Sequence, residues 1–339
     1  MTTLWFVLIA VLWTGYFVLE GFDFGVGILL PLLGRDDRER RVLINTIGPV
    51  WDGNEVWVIT AGGATFAAFP EWYASLFSGF YLPLLLILLA LIGRGVAFEY
   101  RGKRDEVTWR RRWDAVLFAG SLVPAALWGV VFANIVHGVP LDARHVLTGG
   151  PLALLHPYAL LGGATTLFLF TLHGAVFLAL KTTGHLRERA RRVVTGLGAV
   201  TAVLAVGFLA ATGSVRHTPA ALALAGLAVL TLAGGLLATR AGRDGWAFAG
   251  TAATVLFAVA ALFTGLYPDV LPSTLGAANS LTVHNAAAGP YTLKIMTWVA
   301  VGFTPVVLAY QSWTYWVFRR RVRLDDIPAA PPAPVSSGR

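Results

Sequence analysis

This sequence predicts an all-α polytopic membrane protein with nine transmembrane helices, and three observations carry that prediction. Of its 339 residues, 56% are hydrophobic and 13% charged, against about 25% charge in a soluble domain, and the mean hydropathy is +0.68. The apolar runs reach about 20 residues or more without alternating, which suits membrane helices rather than barrel strands. Lys and Arg gather in alternate connections between those runs: 23 of the 26 basic residues fall on one face, leaving Arg144, Arg216 and Lys294 on the other.

The spans are expected at about 4–33, 50–69, 76–98, 113–137, 154–180, 191–212, 219–239, 246–267 and 291–318. The first run is long enough to tilt or protrude. Met1-Thr2-Thr3 lacks the positive stretch of a signal peptide, so this run reads as a span rather than a cleaved leader. Arg35 to Arg41 form the basic loop after it, Arg94 to Arg112 the one after span 3, and Lys181 to Arg192 the one after span 5. Arg240 and Arg243 follow span 7, and Arg319 to Arg323 follow span 9. The crowded face is therefore expected to be cytoplasmic, with the N-terminus outside and the C-terminus inside. The net charge of +8 is a topology signal here, not a mark of nucleic-acid binding. The connections 138–153 and 268–290 are long, and the second, holding Pro268, Pro272 and Pro290, reads as an ordered cap or a docking loop. Residues from Ile327 onward are rich in Pro, Ala and Ser and are expected to be disordered. Gly34-Arg35 to Arg41 and Gly184-His185 to Arg192 echo one another four spans apart, as in a parallel repeat.

Chemistry concentrates in spans 1 to 3. Glu20 and Asp23 lie in the first apolar run, and Trp51-Asp52-Gly53-Asn54-Glu55-Val56-Trp57 opens the second. Ionisable groups inside a bilayer cost several kcal/mol unless partnered, so they point to function. Each acid pair is spaced three residues apart and shares a helix face. Antiparallel neighbours are expected to bring Asp23 and Asp52 to similar depth, as a carboxylate ladder suited to proton relay. The competing readings are a first-turn, surface position for Asp52 and Glu55, and neutral acids that are merely hydrogen-bonded. Arg94 is placed to pair with Asp52 or Asp23. Among the histidines only His173 is clearly intramembrane, and a lone histidine on an apolar helix is more often hydrogen-bonded than haem-ligating. There are no cysteines, which excludes disulfides and thiolate metal sites in this chain. A proton-coupled secondary transporter is the alternative function, but it would show polar groups in both halves.

These residues resemble subunit II of the cytochrome bd quinol oxidases. The matching segments run in order: Glu20-Gly21-Phe22-Asp23-Phe24-Gly25-Val26-Gly27, Gly34-Arg35 to Ile44-Asn45, Trp51 to Ala64, Phe77-Ser78-Gly79-Phe80-Tyr81, Arg94 to Arg101, Trp109 to Asp114, and Met296 to Ala300. Members of that family often have Asp where Glu20 stands and an amide where Glu55 stands. The resemblance implies two four-helix bundles plus one helix, here residues 1–138 with the polar cluster, 139–268, then 269–323 as loop and ninth helix, and 324–339 as a disordered cytoplasmic tail. It implies an obligate partner, subunit I, holding two haems b and haem d with the quinol-oxidising loop, in a complex that oxidises membrane quinol and reduces dioxygen to water. The implied setting is the lipid bilayer of a prokaryotic cell membrane. A small accessory subunit is left open, and in some members a structural quinone lies in a hydrophobic groove of subunit II. Subunit II is implied to give scaffold and a cytoplasmic proton path through Asp52, Asp23 and Glu20, supported by Trp51, Asn54, Glu55, Trp57 and Arg94.

Overall fold

The computed structural model describes residues 1–328. Eleven α-helices follow in order: α1 (Thr2–Leu33), α2 (Asp37–Ile47), α3 (Trp51–Ala68), α4 (Pro70–Gly79), α5 (Tyr81–Tyr100), α6 (Val107–His137), α7 (Pro157–Lys181), α8 (Gly184–Val215), α9 (Pro219–Arg240), α10 (Asp244–Leu266) and α11 (Pro290–Val317). Among the described residues, eight of these are long and apolar enough to cross a membrane. The ninth expected span corresponds to α3, which has 18 residues and carries Asp52, Asn54 and Glu55 in its first two turns. Pro70 opens the short α4 that links α3 to α5, since a proline is tolerated in a first turn and cannot continue a helix.

Helix α1 is the axle. It packs on α3 and α6 to one side and on α7 and α10 to the other, while α7, α8, α9 and α10 close a ring of successive neighbours. The crossing of α1 with α7 is made by two glycines. A Cβ on Gly25 would sit 2.1 Å from the Phe170 carbonyl oxygen, and one on Gly174 would sit 2.4 Å from the Gly25 backbone. Small residues at such a point let backbones touch, and dispersion then replaces the hydrophobic drive that lipid cannot supply. Aromatic rings fill the seam on either side: Phe22 stacks on Phe177 at 4.1 Å, and Trp13 meets Trp128 edge-on at 4.9 Å. Helix α11 differs from all of these, because only Leu293 of its 28 residues is buried.

The basic connections converge on one end of the molecule. Asp36, the N-cap of α2, accepts the Glu39 N–H at 2.8 Å, and the Glu39 carboxylate reaches back to accept the Arg35 N–H at 2.8 Å. Glu39 then receives Arg189 at 2.5 Å and His185 at 2.8 Å, so the two echoing segments face one another. Burial by itself raises the Glu39 carboxyl, but the hydrogen bonds from Arg189, the Arg35 amide and His185 outweigh it and hold the group below the usual carboxylate range. Asp114 binds Arg40 and Arg101, Asp37 binds Arg101 and Arg110, and Asp244 binds Arg187 and Arg321. At the opposite end, β1 (Asp269–Leu271) pairs antiparallel with β2 (Leu281–Thr282), and Val139 bridges to Ser273. The two long connections therefore form one ordered cap.

Two expectations need correction. Residues 37–47 are helical rather than loop, because the cap and a buried face of Val42, Leu43 and Ile47 are present. The stretch expected to be disordered from 324 is ordered over its first residues. Leu324–Asp326 form a 3-10 turn, Ile327 is buried, and Arg38 donates to the carbonyls of Leu324 at 3.0 Å and Ile327 at 2.9 Å. Residues 329–339 of that tail lie outside the described residues.

Candidate functional site: a buried acid–arginine–amide cluster

Glu20, Asp23, Asn54 and Arg94 all have 0% exposure and come from three helices, α1, α3 and α5. Arg94 Nη1 donates to Glu20 Oε1, forming an ion pair closed to solvent on both sides. The guanidinium lies between the rings of Phe24 and Phe98, 5.2 and 5.3 Å from their centroids, which supply cation–π attraction in place of water. Phe98 is itself stacked by Trp51 at 4.7 Å. Arg94 therefore takes Glu20, not the expected Asp52 or Asp23.

Asp23, one turn from Glu20, is met by an amide. Asn54 Nδ2 donates to Asp23 Oδ2 at 2.7 Å and to the Leu19 carbonyl at 3.4 Å. Asn54 Oδ1 accepts from Tyr315 at 2.8 Å and Gln311 Nε2 at 3.3 Å, both on α11. Trp57, whose ring fills the space beside Gly15, donates its indole N–H to Gln311 Oε1 at 2.9 Å. Neither Gln311 nor Tyr315 is singled out by the sequence. Each is an isolated polar group on a helix rich in aromatic residues, more than 250 positions from Asn54.

Asp52 does not join Asp23. It is exposed in the first turn of α3 and makes no hydrogen bond or ion pair among the described residues. The reason is helical geometry. The buried face of α3 is Asn54, Ala61, Thr65 and Ala68, and two residues rotate a helix by roughly 200°, so Asp52 points away. Glu55 is half-buried, one turn along α3 from the exposed Asp52 and next to the buried Asn54. Glu20 Oε2, Asp23 Oδ1 and Arg94 Nε and Nη2 are buried without a partner among the described residues. Such groups suit bridging water, which makes about three hydrogen bonds to polar atoms of this kind.

His173 does not fit haem ligation. His173 has both ring nitrogens engaged, with Thr251 Oγ1 at 2.7 Å and the Val18 carbonyl at 3.1 Å, and its ring stacks on Phe248 at 4.9 Å. Among the described residues, no group of three or more His, Cys, Asp or Glu side chains is placed to hold a metal ion.

The family model for cytochrome bd terminal oxidase subunit II matches residues 1–318. This chain belongs to that family. Its relatives include the cytochrome bd ubiquinol oxidase subunit 2 of Bacillus subtilis, 46% identical over 94% of this chain and 96% of that one. The cytochrome bd-I ubiquinol oxidase subunit 2 of Escherichia coli is 36% identical over 96% of each. A probable cytochrome oxidase subunit 2 of Haemophilus influenzae is 38% identical over 92% of each. The fold is similar to a chain in the structure of bd oxidase from Geobacillus thermodenitrificans, with a TM-score of 0.76, 16% identity, and coverage of 93% of this chain and 98% of that chain. In this subunit II chain, then, Glu20, Asp23, Asn54 and Arg94 form a fully buried cluster of polar and charged side chains.

Proposed function

We propose that this chain serves a cytochrome bd-type complex that oxidises membrane quinol and reduces dioxygen to water, as scaffold and proton path for an obligate subunit I. Subunit I would hold two haems b and haem d and supply the redox chemistry. The basic end faces the cytoplasm, which the 23-to-3 division of Lys and Arg supports. Residues 1–138 carry the proton path, and 139–268 are the supporting bundle.

The observation that carries this reading is the pair Glu20 and Asp23, fully buried on one face of α1, each with one oxygen engaged by Arg94 or Asn54 and the other left without a partner among the described residues. Carboxylates within a membrane cost free energy that an apolar helix would avoid. Asp52, exposed near the basic end, takes protons from the cytoplasmic side; Glu55 passes them inward; Asp23 and Glu20 hold them at depth. Arg94 keeps the charge on this acid cluster balanced as protons come and go. A structural quinone fits the apolar groove of about 740 Å³ between α1 and α10, walled by Phe6, Val11, Val18, Trp57 and Phe263. The transporter alternative finds no support, since the buried charge of mid-membrane sits on α1 and α5.

The test uses the assembled complex. Asp23→Asn keeps shape but removes the proton, so haem absorbance should persist while quinol oxidation slows at least about tenfold, roughly 1.4 kcal/mol of barrier. Asp52→Asn should slow turnover too, though less, because an exposed carboxylate is replaceable by water. Normal turnover in Asp23→Asn would exclude the path.

A further inference from the structure

We propose that Gln311 and Tyr315 of α11 are positioning residues for the buried acid, fixing which end of the Asn54 amide faces Asp23. The inference rests on the proton-path reading above and deepens it. An amide has an acceptor end and a donor end, and turning it over exchanges them. Asn54 Oδ1 is held by two donors, the Tyr315 hydroxyl at 2.8 Å and Gln311 Nε2 at 3.3 Å. Gln311 is itself fixed, because its Oε1 accepts the Trp57 indole N–H at 2.9 Å, and an indole can only donate. The orientation therefore follows from one end of the series to the other: Trp57 donates to Gln311, Gln311 and Tyr315 donate to Asn54, and Asn54 donates to Asp23 Oδ2 at 2.7 Å.

The consequence concerns the acid. An amide that donates matches a carboxylate; turned over, it would present an oxygen that only a protonated carboxyl can meet. The α11 pair thus selects the arrangement in which Asp23 is met as an acceptor, and the proton is handed on rather than trapped. The charged and titratable groups around Asp23 are Glu20 on α1, Glu55 on α3, Arg94 on α5 and Tyr315 on α11. The Tyr315 ring packs against the core, but its hydroxyl and the Gln311 amide have no packing role of that kind and are both spent on Asn54. At its other end α11 is held through Trp5, whose indole N–H meets Thr297 Oγ1 at 3.1 Å.

The experiment compares Tyr315→Phe, Gln311→Leu and the double variant with Asp23→Asn, all in the complete complex with subunit I. Haem absorbance, quinol KM, kcat and the solvent deuterium isotope effect on kcat are measured. The double variant should keep the haem spectrum and KM, lower kcat about fivefold, the worth of one net hydrogen bond, and raise the isotope effect. Tyr315→Phe alone should move both in the same direction by less. If Asp23→Asn slows turnover while the double variant behaves as wild type, the positioning role is wrong and the path survives. If Asp23→Asn turns over normally, the path itself is wrong and this inference falls with it. Loss of haem or a raised KM in Tyr315→Phe, which keeps the ring, would make α11 a purely structural strut and overturn the proposal.

Discussion

Helices α1, α3, α5 and α6 and helices α7 to α10 flank the same glycine crossing, yet they fill the membrane interior differently. Counting back from Gly25 and Gly174, Glu20 and Asp23 correspond to Leu169 and Leu172. On the second side the buried polar groups are mostly threonines that return their hydroxyl to the carbonyl four residues earlier, as Thr212 does to Phe208 at 2.8 Å and Thr254 to Gly250 at 2.8 Å. His173 is satisfied within the bundle. On the first side two acids and an arginine are buried with polar atoms left over. The second side teaches that such a helix set can confine its buried charges, Arg189 and Asp244, to the basic end. The charges of Glu20, Asp23 and Arg94 are thus not something this kind of packing requires, and we propose that they serve the proton path.

Breaking the first side should have the largest effect. Arg94→Leu leaves Glu20 buried and unpaired, and losing one partner of a buried pair costs about 3–5 kcal/mol; the complex should fail to accumulate, as measured by haem absorbance per membrane protein. The double variant Glu20→Leu with Arg94→Leu sharpens the comparison, because it makes the first side resemble the second. Replacing a buried pair with apolar residues is often neutral or stabilising by about 1–4 kcal/mol. Assembly should return with a wild-type thermal midpoint or better, while turnover stays at least tenfold down by the arithmetic of about 1.4 kcal/mol per decade. Turnover recovering with assembly would mean the pair is structural.

On the second side, His173→Leu strips hydrogen bonds from Thr251 and Val18 and should lower stability by about 1–3 kcal/mol. Haem spectrum and kcat should not change; a lost haem band would contradict the assignment of His173 as a packing residue. The smallest effect belongs to the basic end. Glu39 is held below its usual range, so it stabilises above the ordinary glutamate value near about 4.3 and that contribution fades as pH falls through the lower, folded value. Glu39→Gln should lower the thermal midpoint at pH 7 by a few degrees, and the gap to wild type should close on acidification. A gap that persists at pH 3 would mean the loss is steric.

Much of the topology was legible because lipid imposes simple rules. Apolar run length located α1 and α5–α11, with boundaries off by as much as seven residues where α8 starts at Gly184 rather than 191, and the arginine clusters marked the loops that now share one end. Helix α2 was missed although Asp36 and Glu39 carry a readable cap, since a run of seven charged residues, Arg35 to Arg41, looks like a loop. The acids were found, but their partners were not. Sequence nearness linked Asp52 to the buried pair, whereas rotation about α3 gave that place to Asn54. Arg94 was recognised as deep, and which acid it met depended on the relative height of α1 and α5, which no local pattern encodes. Gln311 and Tyr315 were invisible for a related reason: their meaning lies wholly in a contact across the length of the chain.

Closing the fold with the last residues has a consequence for biosynthesis. Arg38 must wait for Leu324 and Ile327, 286 and 289 positions later, and Asn54 must wait for Gln311 and Tyr315, 257 and 261 positions later. At about 5–20 residues per second of translation, the polar centre stays open for roughly a quarter of a minute to a minute on every nascent chain. Any chain that stops short presents an unfinished charged interior to the membrane, a ready signal for a surveillance protease. Pulse–chase of a chain ending after residue 300 should show faster clearance than the full-length protein when subunit I is absent from both; equal lifetimes would remove that role from the carboxy-terminal closure.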